Sequence, residues 1–298
     1  MVVVKLMGGL GNQMFQYAAG RALAHAFNTS LKLDISFLSD NTPRHNVIQR
    51  PYELSVFNIK EQFPNKKEVQ KFTTGRVALS DRLTFRTYTL YKEPHFHFAP
   101  DFLKLKPSVY LDGFWQSEEY FKAIKETIVE EFSFKEKPEG GNKQISDQIS
   151  GTNSVSIHVR RGDYISNPYT NSYHGTCDLK YYQLAIEIIA QRVTDPYFFV
   201  FSDDIEWTKE HLVIDYPSQY VDQNNGDKSY EDLRLMSTCK HNIIANSSFS
   251  WWGAWLNSYP DKIVVAPEKW FNNSENNTKD LLPPSWIKVN TICQRLAF

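Results

Sequence analysis

Apolar and polar positions along the chain fall into blocks that read as strand, turn and helix, in two separate stretches. Residues 2–7 are apolar and β-branched, Gly8-Gly9-Leu10-Gly11 interrupts them, and residues 14–27 carry Phe15, Ala18, Ala19, Ala22 and Ala26 at helical spacing. Residues 31–35 predict a second strand, which completes a βαβ opening. Between residues 40 and 110, Pro43, Pro51, Pro64, Pro94, Pro100 and Pro107 break up short aromatic runs, so only scattered elements are expected there. Residues 117–132 predict a helix, with Tyr120, Phe121, Ile124, Ile128 and Val129 on one stripe. Residues 135–153 lose hydrophobic periodicity and read as a domain junction.

Beyond the junction the alternation resumes. Strands are predicted at 155–159, 197–201, 242–245 and 262–266, and helices at 179–192, 229–239 and 248–256. Strands alternating with helices predict parallel sheets covered on both faces. The expected fold is α/β, with two Rossmann-like domains facing a cleft. The expected limits are 1–140 and 150–298, with room for the last residues to pack back on the first domain.

Composition narrows the functions this fold can serve. Lys and Arg total 33 against 34 Asp and Glu in 298 residues, so no bulk charge attracts nucleic acid or an anionic membrane. An anionic ligand therefore needs a local cluster. Aromatic residues make up 14% of the chain, and packing accounts for them by default. Cys177, Cys239 and Cys293 are an odd, widely spaced set that frames neither a disulfide scaffold nor a zinc site. No signal-peptide pattern and no apolar run of ~18 residues occurs, so a soluble cytoplasmic protein is expected.

Four stretches carry candidate chemistry. In His158-Val159-Arg160-Arg161-Gly162-Asp163-Tyr164, paired arginines follow an apolar strand, at the end where open α/β sheets bind ligands. A guanidinium fork matches phosphate geometry and keeps its charge. Adjacent arginines on extended backbone diverge, so one is expected to face phosphates and the other to pair internally, with Asp163 as its partner. A surface ion-pair cluster is the competing account. In Asn246-Ser247-Ser248-Phe249-Ser250-Trp251-Trp252, a strand passes into a helix whose first amides and serine hydroxyls suit an anion, unless Ser247 or Ser248 simply caps it. Phe249, Trp252 and Trp255 are expected to form a core stripe.

The third stretch, Phe201-Ser202-Asp203-Asp204, ends a strand with carboxylates able to accept from a guanine or ribose, or to cap a helix. Their adjacent spacing is wrong for two ligands of one hard cation. The fourth, Gly8 through Met14 with Asp34 about twenty residues on, is most of a dinucleotide fingerprint, but Met14 stands where the third glycine belongs. Gly9 and Asn12 remain candidates to border a ligand. His95 and His97 share one face of a predicted strand and lack an obvious third metal ligand.

Taken together, residues 8–17 (GGLGNQMFQY), 158–164 (HVRRGDY) and 246–256 (NSSFSWWGAWL) closely resemble the α-1,2-fucosyltransferase family, glycosyltransferase family 11, in motif order and over nearly the whole chain. Residues 111–117 (LDGFWQS) and 235–241 (LMSTCKH) support the likeness. The resemblance implies a GT-B architecture, GDP-fucose as donor, a terminal galactose of a glycan as acceptor through its 2-hydroxyl, inversion at the fucose anomeric carbon, and no metal or other cofactor. It further implies that Arg160 binds the pyrophosphate, with Arg161 and Asp163 in the same segment. His158 and Asp203 would lie near the nucleoside, Asn246 and Ser247 to Phe249 at the phosphates, and Gly9 and Asn12 on the opposite side of the cleft. Peripheral association at the inner membrane face would follow from a lipid-linked acceptor. Some relatives carry a catalytic Glu just beyond the arginines; here Ile165-Ser166-Asn167-Pro168-Tyr169 offers no carboxylate. The acceptor base is therefore unassigned, with Asp112, Glu118 and Asp34 as the candidates from the N-terminal half. The other functional classes are an NAD-dependent oxidoreductase on the Gly8–Asp34 unit and a non-catalytic glycan-binding protein.

Overall fold

The computed structural model describes residues 1–40, 42, 48–74, 87–272 and 275–291; Cys293, the last seven residues and the Asp163 side chain lie outside that description. The chain forms two compact α/β units, Met1–Lys135 with Asn276–Leu281, and Glu136–Glu275 with Leu282–Phe298. Both contain parallel sheets, as the alternation of elements predicts.

The first sheet comprises β1 (Val2–Lys5), β2 (Leu31–Asp34), β3 (Thr89–Lys92) and β4 (Val109–Asp112) in the order β2-β1-β4-β3, every pair parallel. The helix Leu10–Ala26 packs on it. Gly20 permits that close approach, since a Cβ there would lie 2.8 Å from Leu31 Cδ1 and 3.2 Å from Val4 Cβ. Met14 is fully buried. The glycine that a dinucleotide fingerprint places at the helix start is thus supplied two turns later.

The second sheet comprises β5 (Asn153–Val159), β6 (Pro196–Ser202), β7 (Ser218–Val221), β8 (His241–Ile243), β9 (Val264–Pro267) and β10 (Ile287–Val289). Its order is β10-β9-β8-β5-β6-β7, again wholly parallel. The helix Leu179–Ala190, capped by Asp178, covers one face with Tyr181, Tyr182, Ala185, Ile186 and Ile189. Two tyrosine hydroxyls in that layer pin strand ends: Tyr181 donates to Ile244 O (2.6 Å), and Tyr182 to His158 O (3.2 Å).

Within the polar stretch read as a junction, Gly140–Ser150 is a helix anchored by only Ile145 and Ile149, too few apolar positions to register as periodicity. The chain divides at the start of that stretch, after Lys135, and residues 276–281 join the first unit through Asp280. Its carboxylate accepts from Phe98 N–H (2.9 Å), and its carbonyl accepts from Ser117 Oγ (2.8 Å). The continuous helix expected over 117–132 is instead two short 3-10 turns followed by Lys125–Glu131. Tyr120 is drawn into an aromatic cluster with Phe98, Phe102 and Trp115 and accepts from Ala99 N–H, and this tertiary anchor overrides the local pattern.

Candidate functional site

Where a parallel sheet reverses its direction of strand addition, it binds ligands outside the carboxyl ends of the strands. In the second unit that place lies between β5 and β8. Arg160 follows the first of these strands and Asn246-Ser247-Ser248 the second, so two of the sequence motifs converge on one crevice.

The arginines diverge as extended backbone requires. Arg160 Nη1 pairs with Asp203 Oδ2 at 2.7 Å, and Arg161 Nε pairs with Asp204 Oδ2 at 3.1 Å. Asp203 also accepts the Arg161 backbone N–H at 2.8 Å. The carboxylates at the end of β6 thus orient the arginines at the end of β5; the Asp163 side chain, expected to partner one of them, lies outside the description. Gly162 is required because a Cβ there would overlap the Asp203 carboxylate. Arg161 lies flat on Trp207, 3.4 Å from its ring centroid, which marks it as the internally committed member of the pair. Arg160 sits over the Tyr164 ring at 5.1 Å and stays partly solvent-accessible.

Across the crevice, the helix Ser248–Leu256 begins without a side-chain cap. Trp251 is the first residue whose N–H bonds back, to Ser247 O at 3.0 Å, so the amides of residues 248–250 have no intrahelical acceptor. The dipole and these donors favour an anion. Asn246 is no such donor. Its Nδ2 is spent on the carbonyls of His174, Gly175 and Trp270, and its Oδ1 accepts from Cys177 Sγ. These bonds fix where the helix starts. The core residues of this helix are Trp251, Trp252 and Trp255; Phe249 lies outside that stripe, only partly buried beside His158 at 5.6 Å between centroids.

Burial, helped by the Arg160 charge, holds the His158 imidazole neutral, with its pKa lowered to about 3. Its Nδ1 is buried without a hydrogen-bond partner among the described residues, an unmet polar atom at the mouth of the crevice. One carboxyl group was missed on sequence. Asp232 lies in the first turn of Ser229–Thr238, a helix that runs back from the carboxyl edge of the sheet into β8. Burial raises its pKa to about 7, against the hydrogen bond from Asn224 Nδ2 at 2.8 Å. Nothing in the local sequence marks it, because Asn224 and Asn142 gather around it from separate segments.

In the first unit β1 and β4 are neighbours, so their carboxyl-end loops lie side by side. Gly8, at φ 75°, turns the chain after β1, and Gln13 and Gln16 then bind the turn's own backbone. Gln13 spans Gly8 O, Pro51 O and Glu53 N–H, while Gln16 bonds Met7 N–H and O. The first motif is therefore mostly loop scaffolding. Gly9 makes no close approach of its own, and Asn12 Oδ1 accepts from Gln116 Nε2 at 2.7 Å. Asp112 is paired with Lys5 at 2.9 Å. Asp34 accepts from Tyr110 Oη (2.7 Å) and Ser36 N–H (2.9 Å), which occupies the carboxylate a dinucleotide ribose would need. His95 and His97 stack on each other at 3.6 Å, and among the described residues no three His, Cys, Asp or Glu side chains cluster to hold a metal.

Glu93, one residue beyond β3, also escaped the sequence reading. Its two oxygens accept the backbone N–H groups of Phe114 (2.7 Å) and Trp115 (2.9 Å). Burial outweighs those bonds and raises its pKa to about 7. Among the described residues no helix is long and apolar enough to cross a membrane.

Comparison with known proteins identifies the family. The chain is 40% identical over 296 residues to an α-1,2-colitosyltransferase of Escherichia coli, covering 97% of this chain and 98% of that one. It is 36% identical to the O-antigen biosynthesis glycosyltransferase WbnK of Escherichia coli (95% and 99% covered), and 29% identical to galactoside alpha-(1,2)-fucosyltransferase 1 of Rattus norvegicus (95% and 71%). Among solved structures, fucosyltransferase NodZ from Bradyrhizobium aligns over 85% of this chain and 91% of that one, with 15% identity and a TM-score of 0.45. The model of glycosyl transferase family 11 matches residues 1–290, which takes in all three motifs: the chain belongs to that family and is a glycosyltransferase.

Proposed function

We propose that the protein transfers L-fucose, with inversion, from GDP-fucose to the 2-hydroxyl of a terminal galactose. The observation that carries this reading is the meeting, at the β5/β8 crevice, of a guanidinium held by Asp203 and a helix start with uncapped amides. Cleavage of the fucose–phosphate bond places negative charge on the departing GDP while the sugar becomes oxocarbenium-like. Fixed positive groups aimed at that charge stabilise the transition state, by ~3–4 kcal/mol for a single well-placed donor. In this reading Arg160 and the amides of residues 248–250 supply that stabilisation without a metal ion. His158, neutral and unpaired at Nδ1, serves the nucleoside. A buried carboxyl such as Asp232 is suited to accept the adjacent N–H donors of a guanine edge. Asp112, oriented by Lys5, is the proposed acceptor of the hydroxyl proton.

A second donor is favoured by one observation, the 40% identity to a colitosyltransferase. Colitose is fucose without its 3-hydroxyl. A site that hydrogen-bonds this hydroxyl rejects the deoxy sugar by about 10⁴-fold, whereas one that only packs against it discriminates far less. Incubation with GDP-fucose or GDP-colitose and a panel of β-galactosides, with and without EDTA, followed by linkage analysis, tests both. An α-1,2-fucosylated product that survives EDTA supports the proposal. Transfer from GDP-colitose alone replaces its donor, and a product at another hydroxyl rejects its acceptor.

A further inference from the structure

The loop after β4 is held in a conformation that the fold alone does not require. Trp115 has φ 58°, a left-handed backbone that is strained for a non-glycine residue. Its side chain is nonetheless fully buried, stacked on Tyr91 at 5.8 Å and packed edge-on to Tyr120. The preceding peptides are clamped by both Glu93 oxygens, and a Cβ at Gly113 would overlap Glu93 itself. Burial of Trp115 and the Glu93 clamp together leave Phe114 facing outward, 38% exposed. It lies just past β4, beside the carboxyl end of β1 and two residues from Gln116, which bonds Asn12 in the loop after β1.

An outward aromatic ring flanked by amides, at the ligand edge of a parallel sheet, suits a neutral sugar. On one face of a galactopyranose the C–H groups of C3, C4 and C5 form a continuous apolar patch, because the 4-hydroxyl is axial to the other side. We propose that Phe114 is the stacking platform for the terminal galactosyl ring of the acceptor, and that Glu93 is the positioning residue that aims it. This deepens the reading of a galactoside acceptor given above and rests on it.

The test is binding of methyl β-D-galactopyranoside to the full chain by saturation-transfer NMR titration, with GDP affinity measured in parallel. Phe114→Ala is expected to weaken the galactoside by about tenfold, equivalent to ~1.4 kcal/mol. Phe114→Trp should stay within about threefold of the parent, and GDP affinity should be unchanged in both variants. Glu93→Gln is expected to raise the acceptor KM while kcat at saturating acceptor holds, a split that mere loss of stability does not produce. Galactoside binding that ignores Phe114→Ala, or is absent from the parent protein, overturns the inference. GDP binding tells the two proposals apart: retained GDP affinity without galactoside binding sinks only the acceptor half, and Phe114-dependent galactoside binding without GDP affinity sinks only the donor half.

Discussion

The carboxyl ends of the two sheets are built from different materials. In the second unit, the loops after β5 and β6 carry paired charges, Arg160 with Asp203 and Arg161 with Asp204, and β8 leads into an uncapped helix. In the first, β1 and β4 end in the Lys5–Asp112 ion pair, and the loop beyond β4 turns to rings and amides: Phe114, Trp115 and Gln116, the last bonded to Asn12. On the proposed reading the former arrangement is an anion cradle and the latter a shelf for a neutral sugar, and the difference arises from a few residues past the strand ends. The sheet locates a ligand, while the terminal side chains choose its chemistry.

The comparison breaks most decisively at Arg160. Arg160→Ala is expected to fold normally, since the side chain is partly accessible, yet to lose transfer by about three orders of magnitude or more. Near-normal turnover would show that the cradle is not one.

Each unit also holds one carboxyl group near neutrality, Glu93 in the first and Asp232 in the second, both raised to about 7 by burial. The unfolded chain releases these protons near pH ~4, while the folded protein keeps them to about 7. Stability from each is therefore present below pH ~4 and is lost as pH rises toward 7, by at most a few kcal/mol per group. Denaturant melts between pH 5 and 7 should show this fall, with Glu93→Gln and Asp232→Asn each flattening part of it. Parallel slopes in parent and variants would remove the titration from both sites.

Gly162→Ala comes next in size. Its methyl group displaces Asp203, so GDP affinity should fall about tenfold while galactoside binding is untouched. The gentlest probe is salt. Raising NaCl from 50 to 500 mM shortens the screening length from roughly 14 to 4 Å. GDP affinity should weaken several-fold, and methyl β-D-galactopyranoside affinity should not respond. Equal responses would erase the contrast between the units.

The cradle was largely legible in the sequence because its chemistry is local. The His158–Tyr164 and Asn246–Leu256 segments each carry strand, break and helix within a dozen residues, and the helix Ser248–Leu256 falls where its spacing predicts. The pairing of the arginines was not legible: Asp203 and Asp204 are more than forty residues away and meet them only once β5 and β6 align. The shelf was almost invisible. β3 is four residues long and mostly exposed, so it shows no alternation, and Glu93 acquires meaning only when β4 places residues 113–115 against it. Asp112 was visible as a carboxylate at a strand end, but its Lys5 partner arrives from β1.

Asn246 shows what such long-range ties entail. One side-chain amide rivets residues 174–175, 177 and 270 to the start of the Trp-rich helix. The donor amides are thereby registered against segments up to some seventy positions distant, so exchanging this residue loosens the frame while every ligand-facing atom stays chemically intact. A residue can be indispensable to a binding surface without ever meeting what binds.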